Sequence, residues 1–431
     1  MVKLDRFEII LNNPEEVYFA GQEITGKVII ETSEEKKVNE ILLELKGRAR
    51  TYWTKHSGKS RIHCSDSVPY FCEQLNTHYT SKFVTTSADG KSREKILPAG
   101  VHEVPFSYTL PKTLPSSFEG EFGFVRYTCK ATCERPWDFD IVARKVFTVI
   151  GIEDINGDAE ALSPASTADS NYNIRFCCRK QGCVSGEMSI ERSGYTPGEV
   201  INVHCKINNE SQRTIRTPLI RIRQEVNYKA KTFSGSECTR KTSRNVMTVE
   251  KPDVAASSVR EWDEKVILPS LAPRLSKCSS INLQYFLELI VDQKLKLSLP
   301  LIIGTIPLLS DVVTKVKVKN TKSKELKPST ANGDAVDPGN DNGDLIVQVT
   351  VTDEAGNVVE ETDKLDDEMD CLLAAKKRVR MPSSILSELY PSLPSPYYRE
   401  CHFGKVNISE EKEKIQYGES SYAPKYPFYT D

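Results

Sequence analysis

Residues 123–137 read Gly123-Phe124-Val125-Arg126-Tyr127-Thr128-Cys129-Lys130-Ala131-Thr132-Cys133-Glu134-Arg135-Pro136-Trp137. From Tyr127 to Cys133 the stretch alternates, with Tyr127, Cys129, Ala131 and Cys133 at one parity and Thr128, Lys130 and Thr132 at the other. Successive side chains of an extended chain point to opposite faces, so a period of two describes a strand with one face in a core. Outward from it, Phe7 to Leu11, Ile24 to Ile30, Ile41 to Leu45, Val104 to Leu110 and Val146 to Ile150 repeat the alternation. Asn12-Asn13-Pro14, Ala88-Asp89-Gly90 and Pro98-Ala99-Gly100 separate these runs with turn-forming residues. Short alternating runs punctuated in this way predict an all-β sandwich over residues 1–150. No long amphipathic helix is expected before residue 310, and Pro115-Ser116-Ser117-Phe118-Glu119-Gly120 is expected to begin one short helical turn.

From residue 172 to 310 the pattern restarts. Tyr18-Phe19-Ala20-Gly21-Gln22-Glu23-Ile24 recurs as Tyr195-Thr196-Pro197-Gly198-Glu199-Val200, and Lys95-Ile96-Leu97-Pro98 recurs as Lys265-Val266-Ile267-Leu268-Pro269. Two matches in the same order point to an internal duplication and hence to a second sandwich. Residues 151–171, rich in Asp, Ser and Ala without periodicity, read as the linker. Residues 311–431 read as a mostly disordered tail, because stretches such as the Gly/Asn/Asp-rich Asn332 to Asp344 bury little apolar surface. Within it Leu345 to Val351 has the β-propensity to add to a free sheet edge. The acidic run from Glu360 to Asp370 and the basic Lys376 to Arg380 read as solvated.

Composition narrows the function. With 431 residues, 39% hydrophobic content, 27% charge and a net charge of -2, nothing in bulk points to nucleic acid. The start of the chain lacks a basic leader with an apolar core, which predicts an intracellular protein. The longest apolar run, Leu297 to Leu309, falls short of the ~20 residues a membrane-spanning helix needs, is broken by Pro300 and Pro307, and reads as a buried strand pair. No lipid-anchor signal is found. The 12 cysteines are expected as free thiols, and the triplets at Asn209 and Asn407 as unglycosylated.

Residues 123–137 resemble the signature strand of the α-arrestins, the arrestin domain-containing proteins. Four further passages agree in order: the Gly21 loop, Leu97 to Gly100 leading to Val104-Pro105-Phe106, Gly194 to Val200, and Pro300 to Leu308. The resemblance implies two immunoglobulin-like arrestin sandwiches that dock on receptors or transporters from the cytoplasmic side, at the plasma membrane and endosomes. It extends into the tail, where Ser395-Pro396-Tyr397-Tyr398 and Tyr422-Ala423-Pro424-Lys425-Tyr426-Pro427 stand at the places of the family's Pro-Pro-x-Tyr and Pro-x-Tyr-Pro motifs. Those motifs recruit WW domains of HECT-type ubiquitin ligases, which makes Pro396, Tyr397, Tyr398, Pro424 and Tyr426 the implied partner-binding residues and the protein an adaptor for endocytosis and sorting. Ser395 and Ala423 replace the first proline of each copy, and a lost ring contact costs about 1 to 2 kcal/mol.

Other residues are weighed against plainer roles. Tyr127 and Trp137 are expected to pack, with Pro136 beside them, while Arg126 and Arg135 are expected to pair with carboxylates or carbonyls. Arg221 and Arg223 flank Ile222 and share one strand face, as a solvated surface ahead of a contact for acidic or phosphorylated cargo. Arg48 and Arg50 belong to a basic, aromatic-containing loop suited to cargo or an anionic membrane surface. Gly58-Lys59-Ser60 lacks the glycine and helix of a phosphate-binding loop, and Cys177, Cys178 and Cys183 lack a matching zinc partner. With six scattered histidines and no catalytic motif, no enzyme activity, metal or cofactor is expected. Two alternatives stand beside the ligase adaptor: an arrestin-fold scaffold without ligase recruitment, and a thiol-dependent binder of a redox protein.

Overall fold

A computed structural model describes residues 4–58, 60–86, 93–136, 138–176, 179–310, 384–409 and 415–429. Trp137, Lys59, Cys177, Cys178, the segment 345–351 and both charge runs of the tail lie outside them. In chain order the first half supplies β1 (Arg6–Leu11), β2 (Val17–Phe19), β3 (Glu23–Thr32), β4 (Lys36–Lys37), β5 (Glu40–Ser57) and β6 (Ser60–Asn76). It continues with β7 (Val84–Thr86), β8 (Arg93–Leu97), β9 (Gly100–Thr109), β10 (Phe118–Glu119), β11 (Gly123–Glu134) and β12 (Ile141–Ile150). The second half opens with α1 (Ala159–Leu162), β13 (Ala165–Phe176), β14 (Arg179–Ile190), β15 (Gly194–Tyr195) and β16 (Val200–Asn209). It closes with β17 (Leu219–Thr232), β18 (Glu237–Glu250), β19 (Ser258–Ile267), β20 (Ile281–Val291) and β21 (Leu295–Ile303). Near the C-terminus follow α2 (Ser384–Leu389), β22 (Tyr397–Glu400), β23 (Val406–Asn407), β24 (Tyr417–Gly418), β25 (Ser421–Tyr422) and β26 (Lys425–Phe428).

Strand β11 shows why the sequence folds this way. Val125, Tyr127, Cys129, Ala131 and Cys133 are all fully buried, while the residues between them from Thr128 onward are half-buried. The strand pairs antiparallel with β5 on one side and β12 on the other. Sheet β1-β3-β9 covers the inner face of this layer and completes the first sandwich, while sheet β13-β14-β16-β19 covers β17, β20 and β21 in the second. The long sheets of the two halves are continuous, because Ser65 and Cys64 of β6 pair with Lys231 and Thr232 of β17.

The duplication is visible in the backbone. Gly21 and Gly198 turn with φ 86 and φ 90, in the left-handed region where a Cβ is strained. Leu97 and Leu268, which precede the proline of each matched passage, are each fully buried.

Four features differ from the sequence reading. Pro115 to Gly120 forms no helical turn; Phe118 and Glu119 pair with Val125 and Phe124 instead. Leu297 to Leu309 is no strand pair: β21 is one strand, with Leu295, Leu297, Leu299, Leu301 and Ile303 facing inward. The expected linker is partly structured. Asp158 caps α1 by accepting from the amides of Glu160 and Ala161, and it pairs at 2.6 Å with Arg274. Strand β13 then begins at Ala165, where Ala165, Thr167 and Asp169 take the half-buried parity and Ser166, Ala168 and Ser170 the exposed one. Its period of two is carried by small and polar residues, so hydrophobicity does not register it. Lastly, residues 384–409 and 415–429 belong to the same compact unit as the sandwiches.

Gly47 marks a point of tight packing in the first sandwich. The ladder between β5 and β6 slips there, with Gly47 opposite Phe71 and Arg48 opposite Pro69, so Tyr70 bulges. A Cβ on Gly47 would lie 2.6 Å from ring atoms of both Phe71 and Tyr127. Overpacking of this kind costs typically about 1–3 kcal/mol. The Gly47→Ala variant is therefore expected to lower the thermal midpoint of the first sandwich by several degrees, read by calorimetry; an unchanged midpoint would show that the rings yield.

Candidate functional site

The implied partner-binding residues are brought together in one two-stranded ribbon. Strands β22 and β26 pair antiparallel, with Tyr397 opposite Phe428, Tyr398 opposite Pro427, Arg399 opposite Tyr426 and Glu400 opposite Lys425. The strands that carry the two Pro-x-Tyr copies are thus paired, with Tyr398 and Tyr426 both inside the ladder. Pro396 and Pro424 are buried, Tyr397 and Tyr398 are half-buried, and Tyr426 has no exposed surface. The Tyr426 hydroxyl donates to the Ser117 carbonyl at 3.0 Å, and burial pushes its pKa well above the usual phenol value. Burial raises Tyr398 as well, with the charge of Glu15 adding to it.

The ribbon and its flanks are fastened to both sandwiches by tyrosine hydroxyls and backbone groups. On the first sandwich, the Tyr417 hydroxyl donates to the Leu4 carbonyl at 2.6 Å, and the Tyr422 and Thr148 hydroxyls share a hydrogen bond of 2.9 Å. Strand β24 adds in parallel to β12, where Tyr417 and Gly418 lie opposite Ala143 and Arg144. On the second, the Ser270 hydroxyl donates to the Arg399 carbonyl at 2.9 Å and the His402 amide donates to the Ser270 carbonyl at 2.7 Å. Tyr429 donates to the Thr305 carbonyl at 2.9 Å. Tyr390 donates to Asp154 at 2.9 Å, and burial, reinforced by that carboxylate, pushes its hydroxyl up to about 12. Ahead of it, Ile385 of α2 packs against the Gly21 turn.

The arginines singled out in the sequence occupy other places. Arg126 and Glu119 form a buried bidentate pair, Nε–Oε1 2.8 Å and Nη2–Oε2 2.9 Å, with the guanidinium 3.9 Å above the Phe124 ring. Burial raises the Glu119 carboxyl even though Arg126 pulls it down. The Tyr127 hydroxyl donates to the Pro115 carbonyl at 2.6 Å. Arg135 pairs with Asp138 at 2.7 Å and donates from Nε to the Phe139 carbonyl at 3.0 Å, next to half-buried Pro136. Arg48 and Arg50 lie on the long strand β5 rather than in a loop, because Ala49, Thr51 and Trp53 face the core and extend the ladder to the hairpin tip. Arg50 and Arg126 line an open groove of 580 Å³ with Tyr52, Phe122, Asn407 and Ser409.

Arg221 and Arg223 share a face as expected, but that face is an ion-pair network. Their Nε atoms each donate at 2.7 Å to opposite oxygens of the fully buried Glu288, which Lys296 meets at 2.8 Å. Arg223 also pairs at 2.8 Å with Glu225, a further partner of Lys241. Among the described residues no cysteine is in a disulfide and no cluster of ligands could hold a metal ion. Docking of this terminus on the sandwich through its aromatics is the plainer alternative that the sequence offers to a displayed motif, and the structure has the segment docked, with aromatics from Tyr390 through Tyr429.

Known proteins resemble the chain as follows. The family described as "Arrestin (or S-antigen), N-terminal domain" matches residues 7–156, and "Arrestin (or S-antigen), C-terminal domain" matches residues 180–308. "Arrestin domain-containing protein 17" of Caenorhabditis elegans is 58% identical over 434 residues, 100% of both chains. "Arrestin domain-containing protein 4" of Homo sapiens is 28% identical over 298 residues, 67% of this chain and 68% of its own. "Thioredoxin-interacting protein" of Sus scrofa is 24% identical over 311 residues, 70% and 75% of the two chains.

Two outcomes test this geometry. Removing a fully buried ring costs about 3–5 kcal/mol, so Tyr426→Ala is expected to free the amides of Tyr397–Glu400 and Lys425–Phe428 to exchange while those of β11 stay protected. Equal loss of protection in β11 would mean that the ribbon is not separable. For Glu288, burial pushes the carboxyl up, but hydrogen bonds from Lys296, Arg223 and Arg221 outweigh it and hold it below the usual value. A lowered folded pKa contributes stability above the unfolded pKa of about 4.3, lost as pH falls through the folded value. The Glu288→Gln variant is therefore expected to lose on the order of 2 kcal/mol at neutral pH, the cations being partly solvated, and to show a flatter decline in acid. A parallel decline in denaturant titrations would contradict this.

Proposed function

Since the chain belongs to the arrestin family, a trafficking adaptor by that membership, we propose that it bridges receptors or transporters to a HECT-type ubiquitin ligase. It does so from the cytoplasmic side of the plasma membrane and endosomes, with its ligase-binding segment held closed until released. The observation that carries this reading is the pairing of the two strands that carry the Pro-x-Tyr copies while Tyr426 is fully buried. WW domains grip a polyproline II segment by its proline rings and tyrosine, so a motif locked in a β-ribbon offers them neither. The ribbon has only two strands, which are marginal on their own, so its release requires no unfolding of the sandwiches. The bound cargo would stay on the sandwiches while the freed segment engages the ligase. No chemistry is assigned to the chain itself.

The test compares three forms against a panel of WW domains: a peptide spanning Leu389 to Asp431, the full chain, and the full chain with Tyr429→Ala, which removes the anchor on Thr305 without altering either motif. The peptide is expected to bind at about micromolar strength, the full chain at least about ten-fold more weakly, and the variant in between. Tyr398→Ala with Tyr426→Ala should abolish binding by the peptide. If the peptide binds no WW domain, ligase recruitment is lost and an arrestin-fold scaffold remains.

A further inference from the structure

Tyr417 of β24 combines an unusual charge pattern with a hydroxyl that cannot carry charge where it sits. Three glutamates, Glu410, Glu411 and Glu413, fall within the seven positions before it, and Glu419 stands two positions after it. None of the other 16 among the chain's 17 tyrosines has three carboxylates within that distance on its N-terminal side. The Tyr417 ring is half-buried and meets Phe7 edge-on at 6.1 Å, and its hydroxyl gives its proton to the Leu4 carbonyl at 2.6 Å. Burial pushes this phenol up and the charge of Asp5 adds to it, so the surroundings disfavour a negative charge on that oxygen. Tyr417 lines an open hollow of 300 Å³ that also holds Arg6, Arg144 and Lys145. Each of these cations is engaged. Arg6 pairs with Glu8 at 2.6 Å, Lys145 with Glu16 at 2.6 Å and Glu419 at 2.8 Å, and Arg144 donates to the Ile408 carbonyl at 3.2 Å.

We propose that Tyr417 is a phosphorylation site for a tyrosine kinase that selects acidic peptides, and that its phosphate detaches β24 from β12. Kinases choose substrates by charge pattern, and the glutamates around Tyr417 supply an acidic one. The kinase reaches the hydroxyl through local opening, since β24 has two residues and pairs with β12 at Ala143 and Arg144. In the transfer, the Tyr417 Oη attacks the γ-phosphorus of the ATP that the kinase holds with magnesium. The Oη–P bond forms, the bond from phosphorus to the ADP oxygen breaks, and the phenol proton passes to the catalytic carboxylate of the kinase and then to water. The esterified oxygen has no proton left for Leu4, and the phosphate brings a charge of about −1.5 to −2 to surroundings that disfavour even one. Holding it in place would take cations away from Glu8, Glu16 and Glu419. Phosphorylation here needs neither a ligase nor a cargo, so it stands without the adaptor reading.

The experiment incubates the full-length chain with magnesium, ATP and the catalytic domain of a tyrosine kinase that prefers acidic peptides, then maps phosphopeptides by mass spectrometry and follows amide exchange. Tyr417 is expected to be modified at least about ten-fold faster than Tyr390, Tyr398, Tyr422 or Tyr426. In the product the Gln416 amide, which donates to the Val142 carbonyl at 3.2 Å, should exchange at least about ten-fold faster, while amides of β11 keep their protection. Tyr417→Phe removes the hydroxyl without adding charge; after the same treatment its Gln416 amide should exchange as it does before treatment. Glu410→Gln with Glu411→Gln and Glu413→Gln should slow modification at least about three-fold, and an unchanged rate would overturn the acidic selection. Circular dichroism establishes that each variant is folded, and the map and exchange of the unaltered chain decide the matter alone if one is not. Tyr417 left unmodified, or modified after other tyrosines, would overturn the site. A phosphorylated chain whose Gln416 amide is as protected as before would mean that the cations of the hollow hold the phosphate, and would overturn the detachment.

Discussion

Two rungs of backbone pairing, Ser65 with Lys231 and Cys64 with Thr232, turn two sandwiches into one molecule. Buried apolar residues of the two sandwiches form one connected core. The seam adds what neither has: one sheet running through both, and with it a fixed placement of the β5–β6 hairpin beside the β17–β18 hairpin. Around it gather the Thr51 hydroxyl donating to the Lys229 carbonyl at 2.6 Å, the Phe122 ring edge-on to Tyr228, and Arg240 3.7 Å above Phe122. Cys64 of β6 and Cys238 of β18 meet through the same alignment.

The C-terminal segment is held differently. Its contacts are hydroxyls and amides that reach backbone carbonyls, together with aromatic rings over cations, as where Arg244 lies 3.3 Å from the Phe403 ring centre. The hydrogen bonds are individually worth about 1 kcal/mol and are spread over two sandwiches, and the buried Tyr426 and Leu386 side chains add apolar packing in the core. A fastening built from many small parts suits a segment that is both anchored and releasable.

Much of the fold was legible because alternation is local. Tyr127, Cys129, Ala131 and Cys133 announce their strand within seven residues, and the paired Gly21 and Gly198 loops announce the duplication. Strand β13 escaped notice because Ala165, Thr167 and Asp169 keep the period without the hydrophobicity. The site was less legible, since its determinants are distant in sequence. Nothing near Arg221 and Arg223 reveals that Glu288 will neutralise them, and nothing near Tyr426 reveals that Ser117 will receive its hydroxyl. The tail motifs could be found by pattern, but pattern does not distinguish a displayed tyrosine from a buried one.

The parallel addition of β24 to β12 carries a consequence for behaviour in a crowded cell. Strand β12 has β11 on one side; on the other it is covered by β2 at Thr148 to Ile150 and by β24 at Ala143 and Arg144. When β24 departs, part of a flat β edge loses its cover, and an open edge is a template on which a neighbouring chain can polymerise. Strand β24 therefore acts as a guard on solubility. Any event that peels it away carries a risk of self-association that only a partner on that edge, or re-closure, removes.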